Sequence, residues 1–293
     1  MEPARNAVAL GLFDGVHLGH RAVLEKACAQ SRKGFVPAVF TFKPESAVYK
    51  TGGSPDYIYG AEIKKRLLNE CGIKRVMSPD FDEIKDMDGR KFAGSILKGC
   101  LNAGYVCCGR DFRFGSRASC GVDELMTYGK LFGFRVEVAE DVLSGGIVVS
   151  SSEIRRLLRE GSIERANELL GRSYSITGIV TEGNHIGRTI EFPTVNQEFG
   201  CGQLVPAYGA YASAAEIDGE IYRAVTNIGV KPTISGERAP LAETHILGWS
   251  GDLYGKTLEV QLKRFIREEQ RFASLDELKS RIAEDVKIAL ADI

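Results

Sequence analysis

Ala7-Val8-Ala9-Leu10 runs directly into Gly11-Leu12-Phe13-Asp14-Gly15-Val16-His17-Leu18-Gly19-His20, and this stretch decides the fold. The four apolar residues read as a buried strand. Val23, Leu24, Ala27 and Cys28 recur beyond the block at helical spacing, so the ten residues form a strand-to-helix junction. Glycines there let the backbone approach a phosphate, and the N-terminus of the following helix favours an anion. His17 and His20, three apart on the first turn, can both face phosphates, where a protonated imidazole offsets charge growing on a transferring group. No G-K-[ST] follows, so this is not a P-loop. A lone histidine is more often a structural residue. Glycines, an acid and two histidines coinciding at one junction point instead to a phosphate device.

The same rhythm continues outward. Strands are predicted over 35–42, 73–77, 105–108 and 135–138, alternating with helices over 61–71, 91–101 and 121–132. That alternation implies a parallel sheet with helices on both faces, whose ligands bind at the carboxyl ends of the strands. Two short amphipathic helices follow, over 152–158 and 163–170, and then strands dominate: 175–181, 210–217, 221–227, 242–247 and 257–265. Asp218-Gly219 joins two of them as a tight hairpin turn. Antiparallel strands at this spacing suggest a small barrel. Ser274 opens a last helix with Glu277 at capping-box spacing, and Leu275, Leu278, Ile282, Val286 and Ala289 are its expected buried stripe. The change of rhythm puts a domain boundary near 171–174, dividing the chain into 1–172 and 173–293.

Composition narrows the class of partner. The 293 residues carry 38 Lys+Arg against 39 Asp+Glu, a net charge of −1, with 44% apolar and 26% charged residues. A general nucleic-acid binder held by phosphate contacts needs a basic balance, and a disordered chain needs fewer apolar residues. No apolar run reaches the roughly 18 residues of a membrane span, and the first residues lack the apolar core of a signal peptide. The seven cysteines (28, 71, 100, 107, 108, 120 and 201) are odd in number and form no C-x-x-C pair. Reduced thiols in a cytoplasmic protein are the expectation.

The opening block resembles the H-x-G-H signature of the nucleotidyltransferase superfamily, whose members transfer a nucleoside monophosphate and release pyrophosphate. The superfamily's second element, a Ser/Thr-rich turn before a helix carrying a basic residue, is similar to Val149-Ser150-Ser151-Ser152-Glu153-Ile154-Arg155. In the strand-rich half, Gly178, Gly183, Gly187 and Arg188 lead to Phe192-Pro193-Thr194-Val195-Asn196. The neutral oxygens of Thr194 and Asn196 suit Mg²⁺ that keeps water and shares phosphate ligands. Asn227-Ile228-Gly229-Val230-Lys231-Pro232-Thr233 is a second polar turn, and Glu243 is a carboxylate suited to be a general base for phosphoryl transfer.

Together these blocks resemble the bifunctional bacterial riboflavin kinase/FAD synthetase family. The match also includes Gly109-Arg110-Asp111-Phe112-Arg113-Phe114-Gly115, Leu169 to Tyr174, Gly251 to Lys256 and Phe272 to Leu278, in the same order along the chain. The resemblance implies an N-terminal α/β nucleotidyltransferase domain with a Rossmann-like parallel sheet, and a C-terminal small antiparallel β-barrel with a terminal helix. It implies two reactions: ATP phosphorylates riboflavin to FMN in the barrel, and a second ATP adenylylates FMN to FAD in the N-terminal domain. Thr194 and Asn196 would hold Mg²⁺ and ATP phosphates, Glu243 would be the base on the flavin ribityl hydroxyl, and Asn227 and Thr233 would lie by the flavin. In the other domain His17, His20 and Arg155, with Gly11, Phe13, Asp14, Gly15, Gly19, Ser151 and Ser152, would handle ATP, and Asp111 with Phe112 would lie by nucleotide or flavin. The partners implied are small molecules (riboflavin, FMN, FAD and ATP), with neither nucleic acid nor membrane; no protein partner is indicated.

Two positions depart from the family pattern. T-F-x-P-H-P is here Thr41-Phe42-Lys43-Pro44-Glu45-Ser46, so a carboxylate replaces a phosphate-facing histidine. The glycine common before Phe-Pro-Thr is here Glu191. The alternatives to the bifunctional enzyme are a riboflavin kinase with a weakened or inactive adenylyltransferase domain, and a flavin- or nucleotide-binding protein without chemistry.

Overall fold

The computed structural model describes residues 4–46, 56–181, 192–200, 202–232 and 238–292. They form two compact units that divide between Ser151 and Ser152. The first is built on a five-stranded, fully parallel sheet of order β3-β2-β1-β4-β5, made of β1 (Asn6–Leu10), β2 (Val36–Phe40), β3 (Arg75–Met77), β4 (Ala103–Gly109) and β5 (Arg135–Ala139). All of β1 is buried, as a central parallel strand covered on both faces must be. Val8, Leu10, Ala38, Phe40, Val106 and Cys108 form one core with the helix over Phe92–Cys100 and with Leu125 of the helix Val122–Phe132. The alternate residues of β1 turn to the opposite face.

The helix over Phe92–Cys100 is a π-helix rather than the α-helix predicted: the Leu101 amide reaches back five residues to the Ile96 carbonyl at 2.9 Å. Phe92, Ala93, Ile96 and Leu97 are all buried and pack on the sheet core. Between the strands of the first unit, α1 (Leu18–Ala29) and α2 (Ala61–Glu70) lie where the apolar spacing puts them.

The second unit carries α6 (Ser151–Arg159) and α7 (Ile163–Leu170), then a six-stranded antiparallel sheet; α3 (Phe81–Ile84), α4 (Gly89–Lys91) and α5 (Val122–Phe132) belong to the first unit. A hairpin of β6 (Leu143–Ser144) and β7 (Ile147–Val148) precedes α6 and was not predicted. The barrel strands are β8 (Tyr174–Ile179), β9 (Val195–Glu198), β10 (Gly209–Ile217), β11 (Glu220–Pro232), β12 (Arg238–Ile246) and β13 (Thr257–Glu268), in the order β8-β13-β10-β11-β12-β9. The two edges meet: Thr181 bridges Asn196, and the Gln197 side chain donates to the carbonyls of Gly178 (3.2 Å) and Leu258 (2.8 Å), nearly closing a barrel. Asp218 and Gly219 both take positive φ (52° and 83°), the mirror-image turn that matches strand twist and that favours Asp-Gly. Inside, the hydroxyls of Ser213, Thr226 and Thr244 form a buried ladder at 2.8 and 2.9 Å, so none is left unsatisfied in the core.

The packing division falls some twenty residues before the boundary placed near 171–174 from the change of rhythm. Helix α7 packs on β13 and β8, and Asn167 caps this join by donating to the Leu262 carbonyl (2.9 Å) and accepting from the Tyr174 amide (2.6 Å). The terminal helix α8 (Leu275–Asp292) also differs from its predicted stripe. Leu275 is exposed and only Ala289 of the five is fully buried, because Asp285 takes a core position where Arg267 holds it bidentately, at 2.8 to 3.1 Å. A periodicity count of apolar residues does not see a buried ion pair. The cap is as read: Ser274 Oγ accepts from the Glu277 amide at 3.2 Å, while the Glu277 carboxylate accepts from Ala273. No helix among the described residues is long and apolar enough to cross a membrane.

Candidate active sites

The glycine- and histidine-rich loop leaves the carboxyl end of β1. Its neighbours β2 and β4 run parallel on either side, so the loop sits at the switch point of the sheet, where open α/β sheets bind ligands. Phe13 (φ 50°) and Val16 (φ 41°) both take left-handed backbone, a cost of order 1–3 kcal/mol each. Both side chains are fully buried, which offsets that cost. His17 caps α1: its Nδ1 accepts from the His20 amide at 3.3 Å, and the two rings stack with centroids 3.6 Å apart. With Nδ1 an acceptor, the proton of a neutral His17 ring sits on Nε2. At Gly19 a Cβ would lie 3.0 Å from the Val149 carbonyl oxygen and 3.2 Å from the His17 ring, so only glycine lets these groups close up. Asp14 accepts from the Ile58 amide at 2.9 Å, and its carbonyl accepts from Ser151 Oγ at 2.9 Å. That last bond joins the first motif to the second across 137 residues of chain.

Behind this loop, Thr41 Oγ1 donates to the Leu12 carbonyl at 2.8 Å. The Lys64 ammonium donates to Thr41 Oγ1 (2.7 Å) and to the Phe42 carbonyl (2.9 Å). Burial pushes this amine down to about 8, while the carboxylates of Asp14 and Glu45 favour its charged form. After β4, a Cβ at Gly109 would meet Asp111 Oδ1 at 3.2 Å, and the exposed Asp111 lies at the same carboxyl edge as the β1 loop. The ring of Phe112 stacks on Phe114 at 5.7 Å and packs on the core of the unit. The thiols of Cys107 and Cys108 are buried, which pushes each up to about 12, well outside nucleophilic range.

In the second unit the register does what spacing alone does not reveal. Glu243 of β12 pairs directly with Asn196 of β9 on one side and with Asn227 of β11 on the other. Directly opposed residues of antiparallel strands share a face, so the three form one row across three strands. Their neighbours Thr226, Thr244 and Gln197 point the other way, into the barrel. The row therefore faces away from these three side chains, with Asn196 buried and Glu243 and Asn227 half-buried. The segment before β9 is pinned to β12: His245 Nδ1 bonds the Pro193 carbonyl at 2.8 Å and the Phe192 ring stands edge-on to His245. This holds Thr194 two residues from Asn196. The donor set here is an amide, a hydroxyl and a carboxylate, and no group of three His, Cys, Asp or Glu able to hold a metal occurs among the described residues. Such a set fits Mg²⁺ that keeps part of its water and takes phosphate oxygens, and does not fit a closed protein cage.

Two family models match the chain, one described as FAD synthetase over residues 1–153 and one described as riboflavin kinase over residues 170–292. The bifunctional riboflavin kinase/FMN adenylyltransferase of Escherichia coli (strain K12) is 37% identical over 282 residues, covering 95% of this chain and 90% of its own. The chain belongs to the bifunctional riboflavin kinase/FMN adenylyltransferase family. The protein of that name from Bacillus subtilis (strain 168) is 34% identical and covers 99% of this chain and 93% of its own. A crystal structure described as a macrolide-efflux protein from Streptococcus pneumoniae superposes with a TM-score of 0.88 at 28% identity, covering 99% of this chain and 95% of that one. That likeness carries the fold; the efflux description is that protein's own.

The family frame shows which predicted positions the structure brings together. Gly11, Phe13, Asp14, Gly15, His17, Gly19, His20 and Ser151 are gathered at the end of β1. Ser152 and Arg155 lie in the first turns of α6, Ser152 exposed and Arg155 half-buried. Asn196, Glu243 and Asn227 are aligned in one row across β9, β12 and β11, and Thr194 immediately precedes β9. Gly178, inside the strand predicted over 175–181, lies within β8, and its carbonyl accepts from the Gln197 side chain. Gly183, Gly187, Arg188, Glu191 and Thr233 lie outside the described residues. Sequence reasoning passed over Thr41 as an anchor and Lys64 altogether. The signal for Lys64 was present: Leu67 and Leu68 follow at three and four residues, so the lysine shares the buried face of α2.

Proposed function

We propose that the barrel unit transfers the γ-phosphoryl group of ATP to riboflavin, and that the N-terminal site transfers AMP from ATP to the FMN so formed, giving FAD and pyrophosphate. The observation that carries this reading is the row Asn196–Glu243–Asn227, which sets a carboxylate between two amides on one face of three adjacent strands. In the kinase step Glu243 takes the proton of the flavin ribityl hydroxyl as its oxygen bonds the γ-phosphorus and ADP leaves. Thr194 and Asn196 would hold Mg²⁺, which supplies charge neutralisation at the phosphates when bound. Asn227 orients the flavin.

In the adenylyl step a phosphate oxygen of FMN bonds the α-phosphorus of ATP and pyrophosphate departs. The amino end of α1, with His17 as its cap, attracts the polyphosphate, and the neutral His17 ring carries its donor proton on Nε2. His20, Ser151 and Arg155 complete the anion contacts, with Ser152, Gly11, Gly15 and Gly19 shaping the backbone around them, and Asp111 and Phe112 mark the nucleotide or flavin end. We assign residues 1–172 to the adenylyl reaction and 173–293 to the kinase. Helix α6 belongs to the first in function through Arg155, although it packs with the second unit. The free thiols of the six described cysteines favour a cytoplasmic setting.

The test is a time course of purified protein with riboflavin, ATP and Mg²⁺, read by product separation. FMN should rise first and FAD follow. FMN accumulating with no FAD even at high ATP would overturn the adenylyl half of the reading.

A further inference from the structure

Lys64 is 6% exposed, on the buried face of α2 beside Leu67 and Leu68. A charged amine is removed from water only at a large cost unless its surroundings hold it. Here they connect it to the phosphate loop twice. The first link is a relay of hydrogen bonds: Lys64 Nζ to Thr41 Oγ1 at 2.7 Å, and Thr41 Oγ1 to the Leu12 carbonyl at 2.8 Å, with a second lysine bond to the Phe42 carbonyl at 2.9 Å. The second link is charge: the groups acting on the ammonium are the carboxylates of Asp14, in the loop itself, and of Glu45, in the turn after β2. Asp14 is fixed in place by the Ile58 amide at 2.9 Å. Two carboxylates beside an anion site repel a triphosphate, and one buried cation interacting with both removes half of that charge.

We propose that Lys64 is a positioning residue for adenylyl transfer: its ammonium holds the phosphate loop through Thr41 and balances Asp14 and Glu45, so that a loop flanked by two acids still receives ATP. The proposal rests on reading the β1 loop as the adenylyl site. It also accounts for Glu45, which stands where the family pattern has a histidine: its charge is answered from inside the fold. Because burial brings the amine down to about 8, the balance is lost as pH rises through that value. The phosphates of ATP and FMN are already fully ionised above about pH 7.5, with second ionisations near 6, so they do not titrate in this range.

The test uses the full-length chain and follows FAD formation from supplied FMN, ATP and Mg²⁺ between pH 7 and 10, with FMN formation from riboflavin measured on the same samples. FAD formation should fall by about tenfold per pH unit above roughly pH 8, while FMN formation does not follow it. Glu45→Gln, at an exposed position, should move the falling limb to lower pH by roughly 0.5. Lys64→Met should cut FAD formation at pH 7.5 by about 30-fold and leave FMN formation within about twofold. A limb that Glu45→Gln does not move, a flat profile to pH 9.5, or Lys64→Met within about threefold of the unaltered protein overturns the proposal. If Lys64→Met loses both activities by misfolding, the Glu45→Gln limb decides alone. No FAD formation by the unaltered protein at any pH overturns the adenylyl reading, and this proposal with it.

Discussion

In the N-terminal unit most of the phosphate-handling groups come from one continuous loop of ten residues; in the barrel they come from positions 194–196, 227 and 243, joined only by strand pairing. The loop is strained, with two non-glycine residues at positive φ, and is held by the burial of Phe13 and Val16. The barrel row is unstrained, since extended strands present alternate residues to one face without special backbone. The loop meets phosphate with backbone and a helix end. The row meets it with side-chain oxygens that suit a metal. The loop should therefore respond to substitutions that alter close packing, and the row to changes of single functional groups.

The largest effect expected is common to both regions. Removing Mg²⁺ with a chelator should abolish FMN and FAD formation together, and adding it back should restore both. A reaction that continues at its normal rate under chelation would show that its site works without the metal. Next in size, His17→Ala should lower FAD formation by about 10²–10³-fold while FMN formation holds, since it removes both a phosphate contact and the cap of α1. Arg155→Ala should act in the same direction. Loss of FMN formation alone in that variant would give α6 to the kinase in function as well as in packing.

Gly19→Ala sharpens the comparison, because it changes no chemical group. The added Cβ, 3.0 Å from the Val149 carbonyl oxygen and 3.2 Å from the His17 ring, should displace the histidine and reduce FAD formation by about tenfold. FMN formation and the thermal transition of the barrel should stay unchanged. Ser151→Ala, which deletes the bond to the Asp14 carbonyl, should cost about 1 kcal/mol, or roughly fivefold in FAD formation.

The same contrast explains what could be read from the sequence. The β1 loop was legible because strand, glycines, histidines and helix follow one another within a few residues, and their meaning is local. The parallel sheet was legible because buried strands and amphipathic helices differ in period. The barrel row was not: Val195–Glu198 was not foreseen as a strand, and the meeting of Asn196, Asn227 and Glu243 depends on a register that no spacing encodes. The roles of those residues came from family resemblance, and the structure adds their alignment. Lys64 escaped because a lysine beside leucines reads as the edge of a helix face until its partners Thr41 and Phe42 are seen. Asp285 escaped for the same reason, its charge being answered from β13 by Arg267. The π-helix was hidden because its burial pattern also fits an α-helix.

The most direct test is Glu243→Ala assayed for each half-reaction separately. The variant should form no measurable FMN from riboflavin, a loss of about 10³-fold or more, yet convert supplied FMN to FAD at the normal rate. FMN formation at the normal rate would contradict the assignment of the base. Equal loss of both activities would contradict two separable sites.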